Sequence, residues 1–252
     1  MMRKALKRVL GPTVARLSPQ CRFERAVFVI SHMRSGSTAL SNVLCSHPKI
    51  SGYGEAHIAY RSQSDLGQLL LNQTKRRAYS LRAPHLFDKL LHNRHDSHLP
   101  PDFFGARAVF LLRQPDFAIP SITRLFRTLN SDEYCDDTQA AQYYLTRVTQ
   151  IGDLWRQFSP VRRIGLCSET LLCDPDRALA RVQAMLDLEP ALQNRYDSPR
   201  ASLKPGAGDP TRSGAHSQII AQPVPEPPKL QVPRDLMAQC RAAHRGLSDA
   251  FD

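Results

Sequence analysis

No stretch of this chain holds the roughly eighteen consecutive apolar residues that a membrane-crossing helix needs. The opening MMRKALKRVLGPTVARLSPQ is basic, but its apolar stretches are short and interrupted by Gly11 and Pro12, so it lacks the core of a secretion signal. It reads as a basic N-terminal extension over residues 1–24 that forms at most a short helix, and cytoplasmic residence is the expectation. Aromatic residues are scarce, at 7%, and do not interleave with basic ones, and no zinc-finger, RNA-recognition or basic-zipper pattern occurs. Nucleic acid is therefore not the expected partner, although 34 Lys and Arg against 23 Asp and Glu give a formal net charge of +11. An anionic small molecule accounts for that charge more simply. The six cysteines, Cys21, Cys45, Cys135, Cys167, Cys173 and Cys240, are scattered without a C-x-x-C pair, as reduced and mostly buried thiols would be. His92, His95 and His98 crowd into LLHNRHDSHLP with neither partner cysteines nor an H-E-x-x-H frame, so no metal is expected.

Against these absences, 42% hydrophobic and 23% charged residues over 252 positions describe an ordinary globular chain with one substantial core. Three short, nearly continuous apolar runs stand out: AVFVI at 26–30, AVFLL at 108–112 and RIGLC at 163–167; a fourth, HLFDKLL at 85–91, is less regular. Such runs suit strands buried on both faces of a parallel sheet. Helical patterns fall between them, over 38–46, 65–79 and 138–158, where Tyr144, Val148, Ile151 and Trp155 share a stripe. Asp174-Pro175-Asp176 opens a further helix through Leu188, and a last one covers about 234–248. The alternation predicts an α/β chain, a three-layer P-loop-like fold with a central, mostly parallel sheet flanked by helices. Residues 25–252 form the single domain, and the Pro/Gly-rich stretch at 190–233 is a long loop wrapped over a site or disordered.

The segment SHMRSGSTAL follows the first run directly. In an open parallel sheet, ligands bind beyond the C-terminal strand ends, where the next helix points its N-terminus outward. Arg34, Ser35, Gly36, Ser37 and Thr38 occupy that place, with backbone N–H groups, hydroxyls and one guanidinium suited to an anion. A nucleotide triphosphatase loop would read G-x-x-x-x-G-K-[ST]; here the first glycine is missing and the basic residue precedes the only glycine. The loop suits a phosphate without matching ATP chemistry.

These residues resemble the sulfotransferases that use 3′-phosphoadenosine-5′-phosphosulfate (PAPS), in the branch of bacterial, carbohydrate and tyrosyl-protein enzymes carrying R-S-G-[ST]-T-x-L. Leu44, His47-Pro48 and Gly54-Glu55 continue that pattern. Arg113-Gln114-Pro115-Asp116, with Ser121 eight positions after Arg113, resembles the family's 3′-phosphate site, a guanidinium and a hydroxyl straddling a strand end and a helix start. Ser168-Glu169-Thr170-Leu171 through Asp174-Pro175 lines up with the segment Y-E-D-L-x-x-D-P, with Ser168 in place of tyrosine. Lys204, Gly206 and Arg212 fall in a late glycine-containing loop like the one that closes over PAPS in the family. The resemblance covers about residues 26–215.

It implies sulfuryl transfer from PAPS, with adenosine 3′,5′-bisphosphate (PAP) as product and no metal. The acceptor is a hydroxyl or amine on a small molecule, glycan, lipid or peptide. Glu55 is the candidate general base and His57 the competing one, while Arg34 and Lys89 are expected to act on the leaving group. A P-loop nucleotide kinase and a non-enzymatic binder of anionic ligands are the alternative readings.

Overall fold

The computed structural model describes residues 2–197, 216–223 and 226–251, with side chains from Val9 onward. The apolar runs become β1 (Ala26–Ser31), β3 (His85–Leu90), β4 (Arg107–Leu112) and β5 (Arg163–Cys167), joined by a two-residue β2 (Ile50–Ser51). All pairings are parallel, and the order across the sheet is β2-β3-β1-β4-β5. The helices are α1 (Met2–Leu17), α2 (Ser37–Ser46), α3 (Ser64–Lys75), α4 (Asn93–Asp96), α5 (Pro115–Thr128), α6 (Asp137–Gln157), α7 (Ser168–Cys173), α8 (Pro175–Leu186) and α9 (Arg234–Ser248).

The strands read as continuous apolar runs because both faces are covered. Side chains alternate between faces, so Phe28 and Ile30 of β1 enter one core with residues of α1, α3, α5, α6 and α9. Val27 and Val29 enter the other, with α2 and α8. Helix, sheet and helix thus form three layers, as expected from the alternation of patterns.

Two local expectations shift. Gly11 and Pro12 do not end the first helix; α1 runs through both. Gly11 lies back to back with Gly67 of α3, where an added Cβ on Gly67 would come within 2.0 Å of the Gly11 carbonyl oxygen, so this glycine is a close helix crossing rather than a breaker. Pro115 takes the first position of α5, which puts Pro120 inside the helix and Ser121 in its second turn rather than at its start. The helix expected from Asp174 to Leu188 is α8, and Asp174 caps it by accepting a hydrogen bond from the Arg177 N–H at 3.1 Å. Of the long loop, residues 190–197 and 216–223 are joined through Asn194, whose side chain exchanges hydrogen bonds with Ile219 at 2.8 and 2.9 Å. Lys204, Gly206 and Arg212 lie outside the described residues.

The strand order makes β1 the switch point. The chain leaves it toward β2 and β3 on one side and later takes up β4 and β5 on the other, opening a crevice at the C-terminal ends of β3, β1 and β4.

Candidate active site

The turn after β1 is bent twice into the left-handed region, at Arg34 (φ 63°) and Gly36 (φ 85°). Glycine takes that conformation freely and arginine does not, so contacts must hold Arg34 in place. Arg113 Nη1 donates to the Arg34 carbonyl at 3.1 Å, and Ser168 Oγ donates to the carbonyl of Ser35. Ser31 Oγ and Ser35 Oγ are 2.6 Å apart. Ser35 is fully buried with its hydroxyl against Ser31, so it shapes the turn from inside. Alternation between left- and right-handed residues turns successive N–H groups to one side, and α2 then begins at Ser37 with first-turn N–H groups that no intrahelical carbonyl can satisfy. Ser168, standing where the resembled segment has tyrosine, is thus a support for the anion loop.

Across β4, the Arg113 main chain is fixed at both polar groups. Its N–H donates to His32 Nε2 at 3.0 Å and its carbonyl accepts from the Tyr144 hydroxyl at 2.7 Å. His32 Nδ1 faces the Met33 carbonyl at 2.8 Å, and burial pushes this imidazole down to about 3, so the neutral ring links the loop to the neighbouring strand end. Glu169 accepts from the Gln114 N–H at 3.1 Å. Asp116 pairs with Arg241 of α9 at 2.6 Å, not with Arg113. Arg34 Nε donates to Ser121 Oγ at 3.0 Å, which brings this guanidinium to the side of Arg113 and Ser121. Arg124 lines the same recess as Arg34, Arg113 and Ser121. The sequence reading missed it, although three residues from Ser121 on a helix is one face.

On the other side of β1, the irregular DKL of the fourth run is regular strand. Lys89 is buried, and its Nζ donates to Thr38 Oγ1 at 3.2 Å, tying β3 to the first turn of α2. Asp88 beside it accepts from the Ala56 N–H and the Lys89 N–H, both at 2.8 Å, and from the Tyr60 hydroxyl at 2.6 Å. Burial pushes its carboxyl up to about 7 against these three donors. The bond to Ala56 sets the loop that carries Glu55.

Glu55 is buried, lines the crevice, and lies with its Oε1 3.1 Å from His57 Nδ1. Burial alone would raise its carboxyl, but the His57 ring and then the Lys89 charge outweigh that and hold it below the usual range. His57, at a left-handed φ of 54°, stands behind Glu55 with 41% of its side chain exposed. Below the loop, Arg147 of α6 is an internal strut. It donates to the carbonyls of Ser31 at 2.9 Å and Leu90 at 3.0 Å, and pairs with Asp96 at 2.8 Å, with both charged groups buried. The resulting cleft of about 390 Å³ is lined by Arg34, Ser37, Thr38, Glu55, Lys89 and Arg113, joined by His92 and, from the folded-over loop, Tyr196 and Ile219. Cations line it together with two carboxylates, Glu55 and Glu169, an arrangement able to hold a multiply charged anion at one end and take a proton at the other.

Residues 26–102 match the family described as the sulfotransferase family. Among solved structures, the chain is similar to the sulfotransferase domain from the curacin biosynthetic pathway, at 20% identity and TM-score 0.57 over 88% of this chain and 96% of that one. It is similar also to the sulfotransferase domain from the Synechococcus PCC 7002 olefin synthase, at 22% identity and TM-score 0.57 over 90% and 94%. Identities this low speak to the fold. A search of the curated proteins by sequence found no match.

Proposed function

We propose that this chain, whose residues 26–102 match the sulfotransferase family, transfers the sulfuryl group of PAPS to a hydroxyl or amine of an organic acceptor. The observation that carries the proposal is a single cleft holding the Arg34–Thr38 anion loop, Arg113 and Lys89 together with the carboxylate of Glu55.

In this reading the 5′-phosphate rests on the N–H groups of the turn and the start of α2, with the Ser37 and Thr38 hydroxyls beside it. The 3′-phosphate sits against Arg113 and Ser121, with Arg34 bridging toward Ser121. Lys89, held to Thr38, stands where negative charge grows on the bridging oxygen as the S–O bond breaks. The acceptor oxygen attacks sulfur in line from the Glu55 side, and its proton passes to the Glu55 carboxylate. Sulfuryl transfer of this kind needs placement and charge stabilisation more than covalent catalysis, and the transfer runs without a metal. The buried position of Glu55 beside Lys89, in contrast to the half-exposed His57, favours the carboxylate as base.

Calorimetric titration with PAP and with adenosine 5′-monophosphate tests the assignment. PAP should bind in the absence of divalent metal and the monophosphate far more weakly. Equal affinity for the two would sink the PAPS reading, and a requirement for Mg²⁺ with ATP would favour the kinase alternative instead.

A further inference from the structure

Behind the base, the fold assembles a group of side chains that sulfuryl transfer does not use. Glu55 and His57 come from the loop after β2, and His95 from α4, some forty residues later in the chain. Each offers one ligand atom, and the three atoms lie within 4.8 Å of one another. We propose that Glu55, His57 and His95 form a binding site for one divalent transition-metal ion of the zinc type at the acceptor end of the cleft.

Two observations carry this beyond a chance grouping. The first is the donor set. One carboxylate and two imidazoles make a three-ligand site that leaves a fourth position for water or another ligand, and these borderline-soft donors select zinc-type ions over Mg²⁺ or Ca²⁺. The closest pair, Glu55 Oε1 and His57 Nδ1 at 3.1 Å, already approaches the edge of a tetrahedron whose bonds are about 2.0–2.1 Å long. Only His95 needs a small side-chain adjustment to close the set. The second is an unmet requirement. His95 is 9% exposed, and its buried Nδ1 has no hydrogen-bond partner among the described residues. A buried ring nitrogen normally finds a partner, since leaving one without costs its full desolvation. A metal ion would supply it.

His92, with Nε2 3.9 Å from the same Glu55 oxygen, stands next to the set and lines the cleft, while His98 is exposed and apart from it. The dense histidines of LLHNRHDSHLP thus divide into one ligand, one neighbour and one bystander. Only the fold reveals the ligands, because the other two come from a different loop.

Metal binding here stands or falls independently of sulfuryl transfer. Where that transfer holds, a Glu55 oxygen bound to metal cannot also take the acceptor's proton, so filling the site suppresses turnover.

The test uses the full chain, stripped with chelator and titrated with Co²⁺ while the visible d–d absorption is followed. Zn²⁺ affinity is then measured by competition with a chromophoric chelator. One equivalent should bind with tetrahedral or five-coordinate bands. His57→Ala and His95→Ala should each weaken Zn²⁺ by at least the roughly 10–100-fold that even outer-shell partners cost, while His98→Ala changes nothing. Substoichiometric binding by the parent chain, or binding that survives both ligand substitutions, overturns the proposal. Circular dichroism checks the fold of each variant; should His95→Ala unfold, the exposed His57 decides the matter alone. With an acceptor in hand, Zn²⁺ inhibition that His57→Ala relieves would join the two activities. Inhibition that persists in His57→Ala would detach the ion from this site.

Discussion

In the proposed assignment, the two ends of the cleft are built from different materials. The nucleotide end consists of short sequence motifs at strand ends, with the main chain itself as a principal ligand: the Arg34–Thr38 turn, the start of α2, and Arg113 with Ser121. The acceptor end consists of single side chains from separate segments, brought together by buried polar contacts: Glu55 by way of Asp88, and Lys89 and His95 by way of β3 and the Arg147 strut. A phosphate site can be made locally, because one turn supplies several parallel N–H groups. A site for an uncharged acceptor cannot, because it needs an apolar wall, a base and a cation that no single segment provides.

This contrast predicts that damage at the acceptor end acts through the fold or the chemistry, and damage at the nucleotide end through affinity. The largest effect should follow Arg147→Met. It removes one half of a buried ion pair and strands Asp96, at a cost of about 3–5 kcal/mol in stability. Urea denaturation should show a lowered midpoint with unchanged slope, and a loss under 1 kcal/mol would mean that the strut is dispensable. Next comes Lys89→Ala. Losing a donor to a developing anion costs about 10²–10³ in turnover, so kcat should fall by that much while PAP affinity changes little. Should affinity fall as far as the rate, Lys89 belongs to the nucleotide end and the division is drawn in the wrong place.

Glu55→Gln keeps the shape and removes the basicity, so turnover should drop about a hundredfold with PAP binding intact, and His57→Ala should cost less than about tenfold. If the two variants exchange behaviour, histidine is the base. The mildest effect belongs to the nucleotide end. Arg113→Ala should weaken PAP by about 1.5–3 kcal/mol, the worth of a hydrogen bond to a charged group. The measurement is calorimetric, and an equal loss for adenosine 5′-monophosphate would remove Arg113 from the 3′-phosphate.

Legibility in the sequence follows the same line. The four apolar runs announced four strands, because a strand buried on both faces must be apolar throughout, and the loop after the first announced an anion because its turn chemistry is local. Two-residue β2 left no periodicity to see, and Gly11 looked like a helix breaker because its partner Gly67 is far along the chain. Ser121 was expected at a helix start, since Pro115 and Pro120 both look like first-turn residues until the backbone chooses.

What the sequence by itself determined was the layer architecture, the parallel sheet and the place of the Arg34–Thr38 turn at the end of β1, all of which rest on patterns within a dozen residues. The tertiary structure alone decided which side chains share a cleft. It turned Ser35 inward and Arg34 toward Ser121, buried Lys89 against Thr38, and paired Asp116 with Arg241. It also gathered Glu55, His57 and His95 within a few ångströms. The physical reason is that backbone periodicity is a local property of a chain. The pairing of buried charges and imidazoles depends instead on which distant segments the sheet order brings side by side, and that order is set by the packing of both cores at once.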